Sequence, residues 1–170
     1  DYYYVNKSSL PKVYGGFNTS LSWKGFDLSA IFAYSIGGYI YNRDITMILH
    51  NGSLEGRDWS TEILRRWTPD NRYTDVPALS TTSNNWNSAS TRFLQNNSYM
   101  RLKNLTLSYN LPKQWISKLS LSSVQVYVQG DNLFTIHRNQ GLDPEQGITG
   151  ITYYRYPAMR TISGGINVSF

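Results

Sequence analysis

Hydrophobic and polar residues alternate along five stretches of the chain. Such alternation is typical of a β-strand with two different faces, because successive side chains point to opposite sides. The first two stretches, 13–23 and 26–36, are separated only by Lys24 and Gly25, a pair that favours a tight hairpin turn. The pattern predicts an all-β, antiparallel protein with strands at about 13–23, 26–36, 99–111, 124–134 and 160–170.

The last predicted strand is the most informative of the five. Ile162, Ile166 and Val168 form an apolar row, hydroxyl and amide side chains form the opposite row, and Phe170 follows. A strand of this kind is typical of an outer-membrane β-barrel, in which one row faces lipid and the other faces a watery lumen. We expect Ile166, Val168, Phe170 and the adjacent Gly165 to close the barrel and to serve as its assembly signal.

The connections between the predicted strands alternate in length. The turns at 24–25 and 112–122 are short, whereas the connections at about 37–98 and 135–159 are long. Bacterial barrels have short periplasmic turns and long extracellular loops, so the two long connections are predicted to be extracellular. We expect the first of them to be irregular, with one short helix at 60–67 that begins at a capping serine.

Composition agrees with a barrel better than with a helical membrane protein. Only 16% of the 170 residues are charged and 15% are aromatic, while the mean hydropathy is −0.43. No stretch offers the roughly 20 apolar residues that a membrane-spanning helix needs. Cysteine is absent, which excludes disulfides and thiolate ligands. The net charge of +5 comes from scattered residues, so nucleic-acid binding is not expected.

The sequence contains no recognisable catalytic or metal-binding constellation. His50 and His137 stand far from each other and have no metal-ligand spacing to carboxylates, so each is expected to be solvated. Asp143 and Glu145 flank Pro144, where turn formation is a better explanation than a glycosidase pair. No nucleophile-elbow motif or phosphate loop is present. We therefore predict that the protein is not an enzyme and needs no metal or cofactor.

Five ordered motifs resemble segments of the SusC/RagA family of TonB-dependent transporters. Residues 97–112 (NSYMRLKNLTLSYNLP) resemble the family's G-S-Y-L-R-L-K-N-I-T-L-G-Y-x-L-P segment, and 126–135 resemble its V-Y-x-x-x-Q-N-L-F-T strand. Residues 141–145 resemble its G-x-D-P-E loop, 10–18 its P-x-x-x-G-G-x-x-N segment, and 67–71 its R-W-T-P-E-N loop. Within 126–135 the sequence departs from the family at Asp131, where glutamine is usual.

This resemblance implies that residues 1–170 are the C-terminal part of a transporter, comprising the last five strands of a 22-stranded outer-membrane barrel in a Gram-negative bacterium of the Bacteroidota. Such transporters import oligosaccharides or peptides. They act with a SusD-like surface lipoprotein as a lid, and are energised through TonB. The remaining strands, the plug and the TonB-contacting segment are expected to lie outside this sequence. Neither kind of cargo is distinguished by these strands.

Several aromatic and polar side chains are candidates for contact with cargo or lid. Exposed aromatic rings stack on sugars and anchor protein partners, although packing within the loop is an equal alternative. Strand residues on the lumen side could meet cargo or simply form the wall. Near the outer end of the third strand, Arg101 and Lys103 are expected to be solvated or paired with lipid head groups. The candidates are Trp59, Trp67, Tyr73 and Trp86 in the first long loop and Tyr127, Gln129 and Asp131 on a strand.

A second class of protein remains open at this point. A secreted, soluble all-β module that binds glycans would show the same alternation and could use the aromatic loop as its site. The two hypotheses differ in where the apolar rows point. In an importer the rows face outward to lipid, whereas in a soluble sandwich they face a sealed interior.

Overall fold

The computed structural model describes residues 3–50, 52, 54, 56–80, 82, 87–119, 121–139, 141–145 and 147–170. Its strands are β1 (Val13–Trp23), β2 (Phe26–Ile36), β3 (Tyr39–Asn42), β4 (Leu94–Asn96), β5 (Tyr99–Asn110), β6 (Ser123–His137), β7 (Ile151–Thr152) and β8 (Thr161–Ser169). Its helices are α1 (Arg43–Ile48), α2 (Lys113–Ile116) and single 3₁₀ turns at Thr61–Arg65, Thr91–Phe93 and Ser117–Leu119.

The main sheet contains β1, β2, β5, β6 and β8 in that order, with every neighbouring pair antiparallel. The β1–β2 hairpin turns at Lys24 and Gly25, which have φ of 49° and 88°. Both residues occupy the left-handed region that tight hairpin turns require. The predicted all-β, antiparallel class is therefore confirmed. The sheet is open, since β1 and β8 each have one edge without a partner strand in the described part of the chain.

One side of this sheet, which we call the apolar face, carries aliphatic and aromatic residues in register on all five strands. Leu28 lies opposite both Leu21 and Leu107, and Val126 lies opposite Ile166. These side chains remain exposed rather than covered; Leu21 is 67% exposed and Ile166 is 65% exposed. The exposed members include Phe17, Leu21, Phe26, Leu28, Leu107, Val126, Val128, Ile162, Ile166 and Val168.

The opposite side, the polar face, is held together by side-chain hydrogen bonds. At one end of the sheet these bonds form a row that crosses all five strands. It runs from Ser22 on β1 to Asp27 on β2, Asn110 on β5, Gln125 on β6 and Asn167 on β8. The Asn110 Nδ2 lies 2.7 Å from a carboxylate oxygen of Asp27. The polar face is therefore an ordered, water-compatible surface, whereas the apolar face offers no such partners.

A bulge shifts the register of the sheet near the N-terminal end of β5 and the C-terminal end of β6. Leu102 pairs with Phe134 and Asn104 pairs with Asp131, so Lys103 is opposed by two residues of β6. The backbone of Asn132 supplies the kink with a φ of 52°. The shift matters because the residues beyond it, Arg101 among them, carry the contacts that attach the second long connection.

The two long connections fold together into what we call the loop unit, residues 37–98 and 138–160 as far as they are described. Within it β3 pairs antiparallel with β4 and parallel with β7. Its interior contains Ile40, Ile63, Val76 and Phe93, each at most 4% exposed. The expectation of an irregular loop was therefore wrong, because these apolar residues, although far apart in sequence, form one interior.

The helix expected at 60–67 is a 3₁₀ turn over Thr61–Arg65, capped by Ser60. It ends early because the Trp67 N–H donates to the carbonyl oxygen of Val76 instead of to its own helix. Helix α1 was not predicted from the sequence. Its cap is Asn42, whose Oδ1 accepts from the Ile45 N–H at 3.1 Å. Six residues give too weak a periodicity to be recognised, and tertiary packing decides their conformation.

Candidate functional site

Asp131 is the centre of a small polar cluster on the polar face. Its carboxylate accepts hydrogen bonds from Asn104 Nδ2 at 2.7 Å and from Gln129 Nε2 at 3.2 Å. Asn104 is oriented in turn by Thr106, whose hydroxyl donates to its amide oxygen at 2.9 Å. Gln129 and Asp131, two of the predicted lumen residues, thus lie together. The cluster can offer donors and acceptors to a polar molecule passing over this face.

Tyr127 lies on the same face and is paired across the sheet with Gly165. A Cβ at Gly165 would meet the Tyr127 hydroxyl oxygen at 2.7 Å and its ring at 2.8 Å. The glycine therefore leaves the space that the tyrosine ring fills, an arrangement that compensates for a glycine in a strand. The neighbouring Ile166 and Val168 lie on the apolar face, and Phe170 follows β8 with 92% of its surface exposed.

Trp59 is fixed by a buried histidine. His50 is 1% exposed, and its Nδ1 accepts from Trp59 Nε1 at 3.0 Å and from the N–H groups of Gly52 and Leu54 at 3.3 and 3.4 Å. Since Nδ1 acts as an acceptor, the proton of the neutral ring resides on Nε2. The expectation that His50 is solvated was wrong. Its role is to anchor the Trp59 indole, which keeps 44% of its surface exposed.

The other loop aromatics differ from one another in exposure. Trp67 follows the 3₁₀ turn and is 44% exposed, and Tyr73 is fully exposed. Trp86 lies outside the described residues. The structure therefore describes three of the four predicted loop contacts, and all three present aromatic surface to solvent.

Arg101 attaches the second long connection to the sheet. Its guanidinium is buried and donates to Asp143 at 2.5 Å, to Glu145 at 2.8 Å and to the Thr135 hydroxyl at 3.0 Å. Lys103 joins the cluster through a 2.8 Å ion pair with the same Glu145. The expectation that Arg101 and Lys103 are solvated or paired with lipid was wrong, because the acidic loop folds back onto them.

Asp143 is the junction of this attachment. Its carboxylate also accepts from the N–H groups of Ala158 at 2.6 Å and of Glu145 at 2.9 Å. Burial raises the pKa of the Asp143 carboxyl, but the hydrogen bonds from Ala158 and Glu145, together with Arg101, outweigh burial and hold the pKa below its ordinary value. The turn-forming role expected for this segment agrees with these contacts.

Further hydrogen bonds join the two long connections to each other. Asn97 Nδ2 donates to the Pro144 carbonyl oxygen at 2.8 Å, and Asn139 Nδ2 donates to Asn97 Oδ1 at 2.9 Å. The Tyr154 N–H donates to Asp44 at 2.9 Å. None of these contacts was predicted from the sequence, since the two partners of each lie 42 or more positions apart. The signal available was only the concentration of Asn in the predicted loops.

The described residues contain no group of three or more His, Asp or Glu side chains placed to hold a metal ion. In the same part of the chain, no helix is long and apolar enough to cross a membrane. The side chains that the polar face and the loop unit do offer are amides, hydroxyls, aromatic rings and paired charges. Such groups bind polar ligands by hydrogen bonding and stacking.

The chain is similar to curated proteins named TonB-dependent receptors. It is 34% identical over 166 residues to TonB-dependent receptor P3 and 31% identical over 173 residues to TonB-dependent receptor P26, both of Formosa agariphila. It is 27% identical over 168 residues to TonB-dependent receptor SusC of Bacteroides thetaiotaomicron. These alignments cover 91% to 98% of the chain. No family model matches the sequence.

Solved structures of the RagAB peptide importer resemble the chain in fold and sequence. The match to its 'closed-closed' state has a TM-score of 0.83 and that to its 'open-open' state a TM-score of 0.85, each at 35% identity. Both matches cover 98% of this chain and 18% of the importer chain. The matched part of the importer belongs to its barrel, which identifies the open sheet as a section of barrel wall.

The sheet and its attached loops are therefore homologous to a part of the TonB-dependent receptors. Within that class, the chain is homologous to the SusC and RagA proteins over most of its length. It spans about a sixth of the length of the curated relatives it matches. The relatives are named as receptors and importers rather than as enzymes.

Proposed function

We propose that this chain is the C-terminal part of the barrel of an active nutrient importer in the outer membrane of a Gram-negative bacterium. The importer takes up oligosaccharides or peptides, works with a SusD-like lipoprotein as its lid, and is energised through TonB. The plug, the other strands and the segment that contacts TonB belong to parts of the importer outside this sequence. The homology to the TonB-dependent receptor SusC and to the RagAB peptide importer supports import across the outer membrane.

The observation that carries the proposal is the contrast between the two faces of the main sheet. Large apolar side chains stay exposed on one face; Ile162, for example, keeps 72% of its surface exposed. Hydrogen-bonded rows of polar side chains cover the other face. A lipid-exposed wall around a watery lumen needs this combination. A soluble glycan-binding module would instead bury its apolar face, so the alternative loses support.

The free edges of the sheet are the second support. An unpaired strand edge in hydrocarbon costs several kcal/mol for each unsatisfied backbone group, so a membrane sheet has to close on itself. We propose that β1 and β8 pair with barrel strands outside this sequence. In this assignment β8 meets the first strand of the barrel, and Gly165, Ile166, Val168 and Phe170 form the closing and assembly signal.

The candidate contacts divide into two levels of the importer. The loop unit presents aromatic surface that suits the lid or the cargo at the outer mouth. The Asp131 cluster offers hydrogen bonds to cargo deeper in the lumen. The proposed contacts are Trp59, Trp67, Tyr73 and Trp86 at the mouth, and Tyr127, Gln129 and Asp131 in the lumen.

The orientation of the chain can be tested by cysteine labelling, because the sequence contains no cysteine. Tyr73 is fully exposed in the loop unit, and Gln114 is exposed in α2 at the opposite end of the sheet. In the full-length protein, from which any other cysteine is first removed, Tyr73→Cys and Gln114→Cys serve as matched variants. A membrane-impermeant maleimide is then applied to intact cells.

We expect the Tyr73→Cys variant to be labelled on intact cells. The Gln114→Cys variant is expected to react only after the outer membrane has been permeabilised, because α2 would lie in the periplasm. Labelling of Gln114→Cys on intact cells, or recovery of the protein in a soluble fraction, would contradict the proposal.

A further inference from the structure

A cavity of about 590 Å³ lies between the outer end of β6 and the segment that leads into β8. Arg101, Arg155 and Arg160 line it together with His137. The carboxylate in the described lining is that of Asp143. Three guanidinium groups thus share a space with a single carboxylate.

The Asp143 carboxylate is already occupied. It accepts from Arg101 at 2.5 Å and from the N–H groups of Glu145 and Ala158 at 2.9 and 2.6 Å. Arg101 is neutralised by this bond and by its 2.8 Å ion pair with Glu145. The acidic groups of the cluster are therefore satisfied by Arg101 and the backbone, and their charge does not balance the remaining two arginines.

Arg155 and Arg160 have no ion-pair or hydrogen-bond partner within the part of the chain that the structure describes. The backbone between them is nevertheless fixed at two points. The Ala158 N–H donates to Asp143 at 2.6 Å, and Asn132 Nδ2 donates to the Met159 carbonyl oxygen at 3.1 Å. The two cations are thus carried by an anchored segment, so a ligand that bound them would not have to order the backbone first.

Guanidinium groups bind planar and tetrahedral oxyanions through two parallel N–H···O hydrogen bonds. We propose that this cavity is an oxyanion-binding site, in which Arg155 and Arg160 hold the carboxylate, sulfate or phosphate group of a ligand. A soluble anionic molecule and the phosphate of an outer-leaflet lipid share this chemistry. The site lies beyond the proposed cargo contacts on β6 and involves none of their side chains.

The first test is equilibrium binding of inorganic sulfate to the full-length protein in detergent. Sodium sulfate is titrated into the protein by calorimetry, and sodium chloride is adjusted to keep the ionic strength constant. We expect saturable binding that weakens by at least about tenfold in Arg155→Gln/Arg160→Gln, because charge-assisted hydrogen bonds are lost. The matched control is Lys113→Gln/Lys118→Gln, which removes the same charge at the opposite end of the sheet and is expected to bind like the wild type.

A second variant, Arg155→Lys/Arg160→Lys, keeps the charge but loses the guanidinium fork. It is expected to bind sulfate with intermediate affinity, and near-ultraviolet circular dichroism checks that each variant is folded. If the glutamine variant does not fold, the lysine variant decides. Wild-type affinity in the lysine variant would then contradict a guanidinium site.

Nanodiscs with and without lipid A distinguish the two sources of the oxyanion. Sulfate binding in both kinds of disc would assign the site to a soluble ligand. Loss of sulfate binding when lipid A is present, with fewer lipid A molecules retained by Arg155→Gln/Arg160→Gln, would assign it to a lipid phosphate. The proposal is overturned if neither sulfate affinity nor lipid A retention differs between this variant and Lys113→Gln/Lys118→Gln. Because binding is measured without transport, this failure would leave the proposed import function unaffected.

Discussion

The main sheet, which we call the wall sheet from here on, and the loop unit use apolar residues in opposite ways. In the loop unit, Ile40 and Val76 are each 1% exposed and form an interior of the kind found in soluble proteins. In the wall sheet, Leu21 and Ile162 are 67% and 72% exposed, although they are equally apolar. One chain therefore follows two burial rules. The proposed importer accounts for both, because water would surround its loop unit and hydrocarbon would cover its apolar face.

The two regions are also stabilised differently. The wall sheet depends on strand pairing and on rows of polar side chains across one face. The loop unit depends on long-range contacts, among which the buried Arg101 cluster also attaches it to the sheet. The loss of stability caused by a substitution in the wall sheet should therefore depend on the face on which the residue lies. In the loop unit, the loss should depend on how deeply the substituted side chain is buried.

The largest effect is expected from Arg101→Met, which removes the cation and leaves the Asp143 and Glu145 carboxylates without it. Removal of one member of a buried ion pair typically costs about 3–5 kcal/mol. In the full-length protein we expect the backbone amides of residues 138–160 to exchange faster, by the factor that corresponds to this loss of free energy. Arg72→Met, at an exposed arginine bonded to the Pro69 carbonyl oxygen, is the control and should change exchange little. Equal exchange in the two variants would show that the cluster does not attach the loop unit.

The next largest effect is expected in the wall sheet, when a charge is placed on each face at adjacent positions. Arginine on the lipid side of a barrel costs about 2–4 kcal/mol near the bilayer midplane. Val128→Arg should therefore lower the free energy of unfolding in lipid vesicles by that amount. Gln129→Arg, which falls on the polar face beside Asp131, should change it by less than about 1 kcal/mol. The opposite ranking would mean that the faces have been assigned the wrong way round.

A smaller effect is expected where β8 meets β6. Gly165→Ala introduces a Cβ 2.7 Å from the Tyr127 hydroxyl oxygen, so the ring must move at a cost of about 1–3 kcal/mol. Tyr127→Ala removes the obstacle, and the double variant should regain much of the loss caused by Gly165→Ala. Unfolding followed by heat-modifiability in electrophoresis measures this coupling. Additive losses in the double variant would argue against the ring contact.

The smallest effect concerns the histidine anchor in the loop unit. Trp59→Phe removes the 3.0 Å hydrogen bond to His50 Nδ1 but leaves the two backbone donors in place. One lost hydrogen bond typically costs about 1 kcal/mol. Local hydrogen exchange around His50 should increase modestly, with no change in the wall sheet. A large loss of global stability would indicate that the two regions are not as separate as described.

Alternation of side chains was sufficient to predict the wall sheet. The ends of its strands differ from the predicted ones by at most three residues, the largest difference being at His137. A strand pattern is local, since every second residue from Leu105 to Tyr109 reports the same face. Turn chemistry at Lys24 and Gly25 is local as well, and it set the register of the first hairpin.

The loop unit could not be predicted in the same way, because its order depends on partners that are distant in sequence. In the sequence His50 is a solitary loop residue, whereas in the structure Trp59 and two backbone N–H groups donate hydrogen bonds to it. From the sequence Arg101 is expected to be a surface charge, whereas in the structure it donates to Asp143, which lies in a loop 42 residues away. Neither pairing has a periodic signature. The candidate contact residues on the strand were found through the alternation, whereas the oxyanion site depends on contacts that only the folded chain reveals.

The most direct measurement of the central claim is nitroxide accessibility along β6 in the full-length protein, reconstituted in lipid bilayers. Spin labels are placed one at a time at Val126, Tyr127, Val128 and Gln129. Collision with oxygen reports exposure to lipid, and collision with a water-soluble nickel complex reports exposure to water. The labels at Val126 and Val128 are predicted to favour oxygen, and those at Tyr127 and Gln129 to favour nickel. The reverse alternation, or shielding of Val126 and Val128 from both reagents, would contradict a lipid-facing wall.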